Sequence, residues 1–137
     1  MKRKATAVWQ GTGKDGIGNI TTQSGALKAT GYSTRARFEE PNTGTNPEEL
    51  LAAAHSGCFT MKLAFVLNEA GFTAETMETT SVVTIEEGTI TSSQLSLNAK
   101  IPDITNDKFQ ELANYAKDNC PVSKALSIQI SLEASLI

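Results

Sequence analysis

The order of elements along this 137-residue chain predicts an α+β fold, with antiparallel sheets around one long buried central helix. Three observations predict it. The N-terminal third alternates β-forming residues with glycine-rich turns. The stretch from Leu50 to Leu67 is apolar except for His55, Ser56, Thr60 and Lys62. The remainder places a second helical pattern between strand patterns. Residues 1–137 are expected to form a single domain large enough to bury a core.

Lys4–Gln10 reads as a strand, and Gly11-Thr-Gly-Lys-Asp-Gly-Ile-Gly18 supplies turn residues. Gly11–Gly16 matches G-x-G-x-x-G, but a dinucleotide site needs a helix after it, and β-like Ile20-Thr-Thr follows, so a hairpin loop is expected. Asn19–Gln23 and Ala26–Thr30 are short strands around Ser24-Gly25. Thr34–Glu40 reads as a further strand or extended arm, and Pro41–Thr45 as a loop. Asn46 suits a helix N-cap, Pro47 the first helical position, and Glu48 and Glu49 the positive terminus. The helix should run to about Ala70 and stop at Gly71. A helix apolar almost all round is buried on all sides. One small subunit has trouble covering every face, so a homodimer is expected.

Ser81–Glu86 and Ile90–Lys100 are strands around Glu87-Gly88, with Leu95, Leu97, Ala99 and Ile101 on one face. Thr105 or Asn106 caps a helix whose Phe109, Leu112, Ala113 and Ala116 share a face. Pro121 breaks it near Cys120. Ser127–Leu136 closes the chain as a strand through Ile128, Ile130 and Leu132.

Twelve basic and fifteen acidic residues give a net charge of -3 without a block of like charge, so nucleic-acid binding lacks its main electrostatic term. The basic start Met1-Lys-Arg-Lys-Ala leads into no apolar run, so no secretory signal is expected. The apolar helix carries too many polar interruptions for a membrane span. Two cysteines are too few for a disulfide-stapled secreted scaffold. A reducing cytoplasm is the default, where a thiol pair is more often catalytic or redox-sensing than structural.

Two cysteines and one histidine limit the chemistry. Cys58 shares a helix face with Leu51, Ala54, His55, Met61 and Phe65. A free cysteine there is commonly a small buried hydrophobe, and apolar surroundings raise its pKa. Mid-helix amides are already bonded, so a reactive thiolate needs a cation from elsewhere. Arg35 and Arg37, two apart on an extended segment, would project to one face. A planar guanidinium can bond a thiolate, a carboxylate and a peroxide oxygen together. Glu48 would anchor that arginine, or simply serve the helix dipole. Glu48 and Cys58 lie about 15 Å apart along a straight helix. Either the helix begins later or the site is composite between subunits, and the dimer favours the second. Cys120 opens Pro121–Leu126, where unpaired amides favour a thiolate, which makes Cys120 rather than Cys58 the better intrinsic nucleophile, although residue physics alone leaves open which thiol attacks. A zinc site would need four ligands in recognisable spacing, so His55 is expected to be buried and hydrogen-bonded, with no metal.

The segments Asn46-Pro-Glu-Glu-Leu-Leu-Ala-Ala-Ala-His-Ser-Gly-Cys-Phe-Thr-Met61 and Cys120-Pro-Val-Ser-Lys-Ala-Leu126 resemble the osmotically inducible protein C (OsmC) family, relatives of the organic hydroperoxide resistance proteins. The resemblance extends through Val8-Trp-Gln-Gly, Arg37-Phe-Glu and Glu69-Ala-Gly-Phe, and so covers essentially the whole chain. It implies an OsmC-like fold, an intertwined homodimer with sites at the subunit interface, and a thiol-dependent peroxidase for organic hydroperoxides and hydrogen peroxide. By the same resemblance Cys58 attacks and Cys120 resolves, Arg37 rather than Arg35 is the catalytic arginine, and Glu48 orients it. The arginine and His55 look like the OsmC branch. Phe59, Met61 and Phe65 are expected to line an apolar substrate pocket. An external thiol would reduce the enzyme, with no metal or organic cofactor. The alternative from another class is a non-enzymatic protein of the same fold that senses redox state or binds a small molecule.

Overall fold

The computed structural model describes residues 1–38 and 44–137. The chain divides into two compact units, Met1–Leu50 and Leu51–Ile137.

In the first unit, β1 (Ala5–Gln10), β2 (Ile17–Thr22) and β3 (Thr30–Tyr32) form an antiparallel meander in that order. The glycine-rich segment between β1 and β2 is a hairpin loop, where the Gly16 N–H donates to the Thr12 carbonyl at 2.8 Å. The third strand begins later than the sequence pattern suggests. Ala29 has a φ of 48° and Gly25 one of 80°, and left-handed backbone cannot continue a pleated strand. The Thr21 and Thr22 hydroxyls instead accept from the N–H groups of Ala29 and Leu27.

The extended arm expected over Thr34–Glu40 is corrected: Thr34–Phe38 is a short helix, α1. The Ser33 hydroxyl accepts from the Ala36 N–H at 3.1 Å, the bond of an N-cap, and Ala36 is buried beneath the turn. On a helix, residues two apart do not face the same way, so Arg35 and Arg37 do not share a face. Glu39, Glu40 and the expected loop as far as residue 43 lie outside the described residues. Thr45 forms a parallel bridge to Tyr32.

The long helix α2 spans Pro47–Glu69. Asn46 Oδ1 accepts from the Glu49 N–H at 2.8 Å, which fixes the start of α2 ahead of Glu48. Gly71, with a φ of 91°, follows its end. Phe59, Leu63, Val66 and Leu67 pack into the core of the second unit, whereas Ala54, Met61 and Phe65 are exposed. Burial on all sides is thus not achieved within one chain. By length and composition α2 could also cross a membrane, but its large buried residues belong to this core.

The second unit adds β4 (Thr76–Glu86), β5 (Thr89–Lys100), α3 (Asn106–Asn119), α4 (Pro121–Ala125) and β6 (Gln129–Leu136). The β4–β5 hairpin turns at Glu87 and Gly88, whose φ values of 50° and 78° suit the twist of a two-residue connection. β4 starts earlier than expected because Met77 and Thr79 already alternate with exposed Thr76, Glu78 and Thr80. Leu95, Leu97 and Ala99 on β5, with Ile101 beyond it, meet Phe109, Leu112, Ala113 and Ala116 of α3 in the core. Each fully buried leucine or phenylalanine there contributes about 1.5–3 kcal/mol. Thr105 caps α3 by accepting from the Lys108 N–H.

One expectation about this sheet is wrong. β6 pairs with β5 in parallel, so the sheet is mixed rather than antiparallel. The connection carries both α3 and α4, and a crossover of that length returns a strand in the same direction.

Candidate active site

Cys58 and Cys120, sixty-two positions apart in sequence, are brought close together: Cys58 packs against the core cluster that holds Cys120, near enough for the Cys120 thiol to act on its titration. Both are free thiols; Cys120 is fully buried and Cys58 partly so. Two local features of the sequence bring them together. α2 carries Cys58 a few residues from the core positions Phe59 and Leu63. Cys120 ends α3 and caps α4, held by its own N–H to the Ala116 carbonyl at 2.9 Å. Pro121 has no N–H, so Val122 supplies the first amide of α4, and Val122 packs with Cys58 against the core that includes Cys120.

Burial pushes the Cys58 thiol up from its ordinary value. The Val122 N–H counters this by favouring the thiolate, the Cys120 thiol raises it further, and the nearby Lys62 ammonium lowers it. The sequence pattern gave Lys62 no role, although it lies one helical turn beyond Cys58. A backbone amide leaves no residue signature, so Val122 had none to find.

His55 is fully buried one turn before Cys58. Its Nδ1 lies 2.7 Å from Ser93 Oγ on β5, and its Nε2 lies 2.8 Å from Ser123 Oγ on α4. Ser93 Oγ is in turn 3.0 Å from Ser81 Oγ on β4. The expectation of a buried, hydrogen-bonded imidazole holds. Burial lowers the His55 pKa and keeps the ring neutral, with one nitrogen donating and the other accepting. Among the described residues no group of three histidine, cysteine, aspartate or glutamate side chains stands close enough to hold a metal ion.

In the first unit the Arg37 Nε donates to Glu48 Oε2 at 3.1 Å. Arg37 also reaches the Phe38 ring, 5.9 Å from its centroid. A cavity of about 260 Å³ opens beside the guanidinium. Its walls include Trp9 and Tyr32, whose tilted rings lie 5.3 Å apart, together with Ser33, Thr34 and Pro47. An apolar wall beside a cation suits a small molecule with one polar end.

The three apolar residues expected around a substrate lie in different surroundings. Phe59 is fully buried in the core. Met61 is exposed and borders a shallow groove with Thr60, Met77 and Thr79, while Phe65 is exposed outside the residues lining that groove. The groove that Met61 borders is lined by neither Phe59 nor Phe65.

An α+β chain with one long helix and a paired set of thiols at a helix junction is a dithiol protein of the OsmC type. The chain belongs to the family described as OsmC-like protein, which matches residues 40–135. Peroxiredoxin OsmC of Escherichia coli is 39% identical over 140 residues, covering 99% of this chain and 97% of that protein. The crystal structure of the organic hydroperoxide resistance protein OhrB of Bacillus subtilis is similar with a TM-score of 0.67 and 28% identity, covering 96% of this chain and 98% of OhrB. An OsmC-like protein from Mycoplasma pneumoniae has the same fold, with a TM-score of 0.75 at 15% identity over 100% of this chain and 98% of its own.

Proposed function

We propose that this chain is a cysteine-based peroxidase that reduces organic hydroperoxides, and hydrogen peroxide, through Cys58 and Cys120. Relatives named peroxiredoxin and organic hydroperoxide resistance protein support the class of reaction. The observation that carries the assignment of residues is the packing of Cys58 against the core cluster that holds Cys120, with the two thiols near enough to interact.

In the first step the Cys58 thiolate attacks the distal oxygen of the hydroperoxide. The O–O bond breaks, the alkoxide takes a proton and leaves as an alcohol, and Cys58 becomes a sulfenic acid. The Cys120 thiol then attacks the Cys58 sulfur. A disulfide forms and the hydroxyl leaves as water. An external dithiol returns both cysteines to the reduced state by exchange, becoming a disulfide itself. The partly exposed Cys58 suits the first role and the buried Cys120 the second.

Arg37, oriented by Glu48, would stabilise the thiolate and the peroxide oxygen that develops charge. Glu48 and Cys58 are ten residues apart in sequence, which is about 15 Å along a helix. The proposed site is therefore composite, with Arg37 and Glu48 facing Cys58 of the partner subunit in a homodimer. The exposed apolar residues of α2, Met61 and Phe65 among them, supply a surface for a second copy and for an alkyl group. We take residues 1–137 as one OsmC-like domain acting in the reducing cytoplasm.

The test is to incubate reduced protein with cumene hydroperoxide and a dithiol and to follow peroxide loss. Wild type should turn over, Cys58→Ser should not, and Cys120→Ser should accumulate sulfenic acid at Cys58. Undiminished turnover in Cys58→Ser would refute the assignment. An inactive wild type would favour a non-enzymatic redox-sensing or binding protein.

A further inference from the structure

The hydrogen-bonded series Ser81–Ser93–His55–Ser123 joins β4, β5, α2 and α4, and its two ends have different consequences. At the sheet end, Ser93 is fully buried in the middle of β5, paired on both sides with β4 and β6. That end is rigid. At the other end, Ser123 belongs to a helix of five residues. So short a helix has no stability of its own, and its orientation depends on what holds it from outside. The Cys120 side chain makes no capping bond to α4. Ser123 is flanked by the parts of α4 that matter for the thiols. Val122, immediately before it, packs with Cys58 against the core cluster that includes Cys120, one turn back, and the Val122 N–H is placed to favour the Cys58 thiolate.

We infer that His55 is a positioning residue for the thiol pair: its ring braces α4 through Ser123, so that the Val122 N–H and the Cys120 thiol are both held against Cys58. The inference deepens the peroxidase reading and rests on it for its biological meaning. Imidazole suits the task because it is rigid and offers a nitrogen on each side. One hydroxyl accepts from the ring and the other donates to it, so both serines are satisfied without a charge. Removing Ser123's hydroxyl would leave a buried ring nitrogen unpaired and release α4. Cys58 would then lose its amide donor while the folded core remains.

The bland alternative is that the network merely satisfies buried polar groups. The two are separated by the pH dependence of Cys58 alkylation by iodoacetamide, followed by peptide mass spectrometry. Altered access rescales the whole curve, whereas a lost donor moves its midpoint. In Ser123→Ala the midpoint should rise. One pH unit below the wild-type midpoint, the rate relative to plateau should fall at least about threefold. Ser123→Thr keeps the hydroxyl and should restore the wild-type midpoint. Thr105→Ala removes the α3 cap and should lower stability without moving the midpoint. An unmoved midpoint in Ser123→Ala, or an equal rise in Thr105→Ala, overturns the inference. Alkylation consumes no peroxide, so an inactive wild type would sink the peroxidase reading and leave this result standing.

Discussion

Arg37 and Glu48 are joined by a single hydrogen bond that uses the inner nitrogen of the guanidinium, Nε to Oε2 at 3.1 Å. The Glu48 side chain is 11% exposed and that of Arg37 34%. The carboxylate is therefore largely withdrawn from water, while the arginine keeps one side toward the cavity shared with Trp9 and Tyr32. Bonding through Nε leaves the terminal nitrogens able to receive a second anionic group. Such an arrangement orients a cation rather than neutralising it.

Conservative changes at this pair should separate activity from stability. Glu48→Gln keeps a carbonyl oxygen to accept from the guanidinium Nε, so the partly buried pair retains its hydrogen bond. Its urea midpoint should therefore change little. Turnover should fall much further, because a misaligned donor at a developing charge costs on the order of 100-fold in rate. Arg37→Lys replaces a planar fork with a point charge and should show the same pattern. The measurement is kcat/KM for cumene hydroperoxide beside urea unfolding. A value of kcat/KM within about twofold of wild type in both variants would remove this pair from the mechanism.

Acid should weaken the second unit through His55. Burial depresses its pKa in the folded state below the ordinary histidine value of about 6.5. The unfolded chain therefore binds a proton there before the folded chain does. The stability associated with the neutral ring is complete above that ordinary value and is lost as pH falls through the folded value. Urea midpoints measured from neutral pH downward should decline over this window. His55→Gln cannot titrate, so it should be less stable at neutral pH and lack this part of the acid-induced loss. An identical pH slope in wild type and His55→Gln would show that other groups govern acid unfolding.

How legible these features were in sequence depended on how local their causes are. The start of α2 was readable because Asn46 and Pro47 act within one turn, and the buried face of β5 because Leu95, Leu97 and Ala99 repeat every second residue. α3 was readable for the same kind of reason. The direction of β6 was not, since Ile130 and Leu132 alternate identically in parallel and antiparallel pairs. α1 was hidden because five residues hold too little periodicity to distinguish a turn of helix from a strand. Within the thiol site both cysteines stood out by rarity and by their family motifs. Ser93 and Ser123 did not, because an isolated serine carries no pattern until the fold brings an imidazole between two of them.

The apolar surface left open on α2 should govern association. Met61 is 65% exposed and Phe65 63%, four residues apart on one side of the helix. Leaving two large side chains of this kind in water forfeits stabilisation that a second copy could recover, at about 1.5–3 kcal/mol for each residue fully buried. The proposed homodimer should therefore run at twice the chain mass of 14.6 kDa in light scattering after gel filtration. Phe65→Glu would place a carboxylate in that interface, where it lacks a partner and loses its hydration. It should shift the protein to monomer at micromolar concentration while leaving the fold intact by circular dichroism, because Phe65 faces away from the core. If Arg37 and Glu48 serve Cys58 of the partner subunit, peroxide turnover should fall together with the dimer fraction as the variant is diluted. A Phe65→Glu monomer with wild-type turnover would show that the site is complete within one chain.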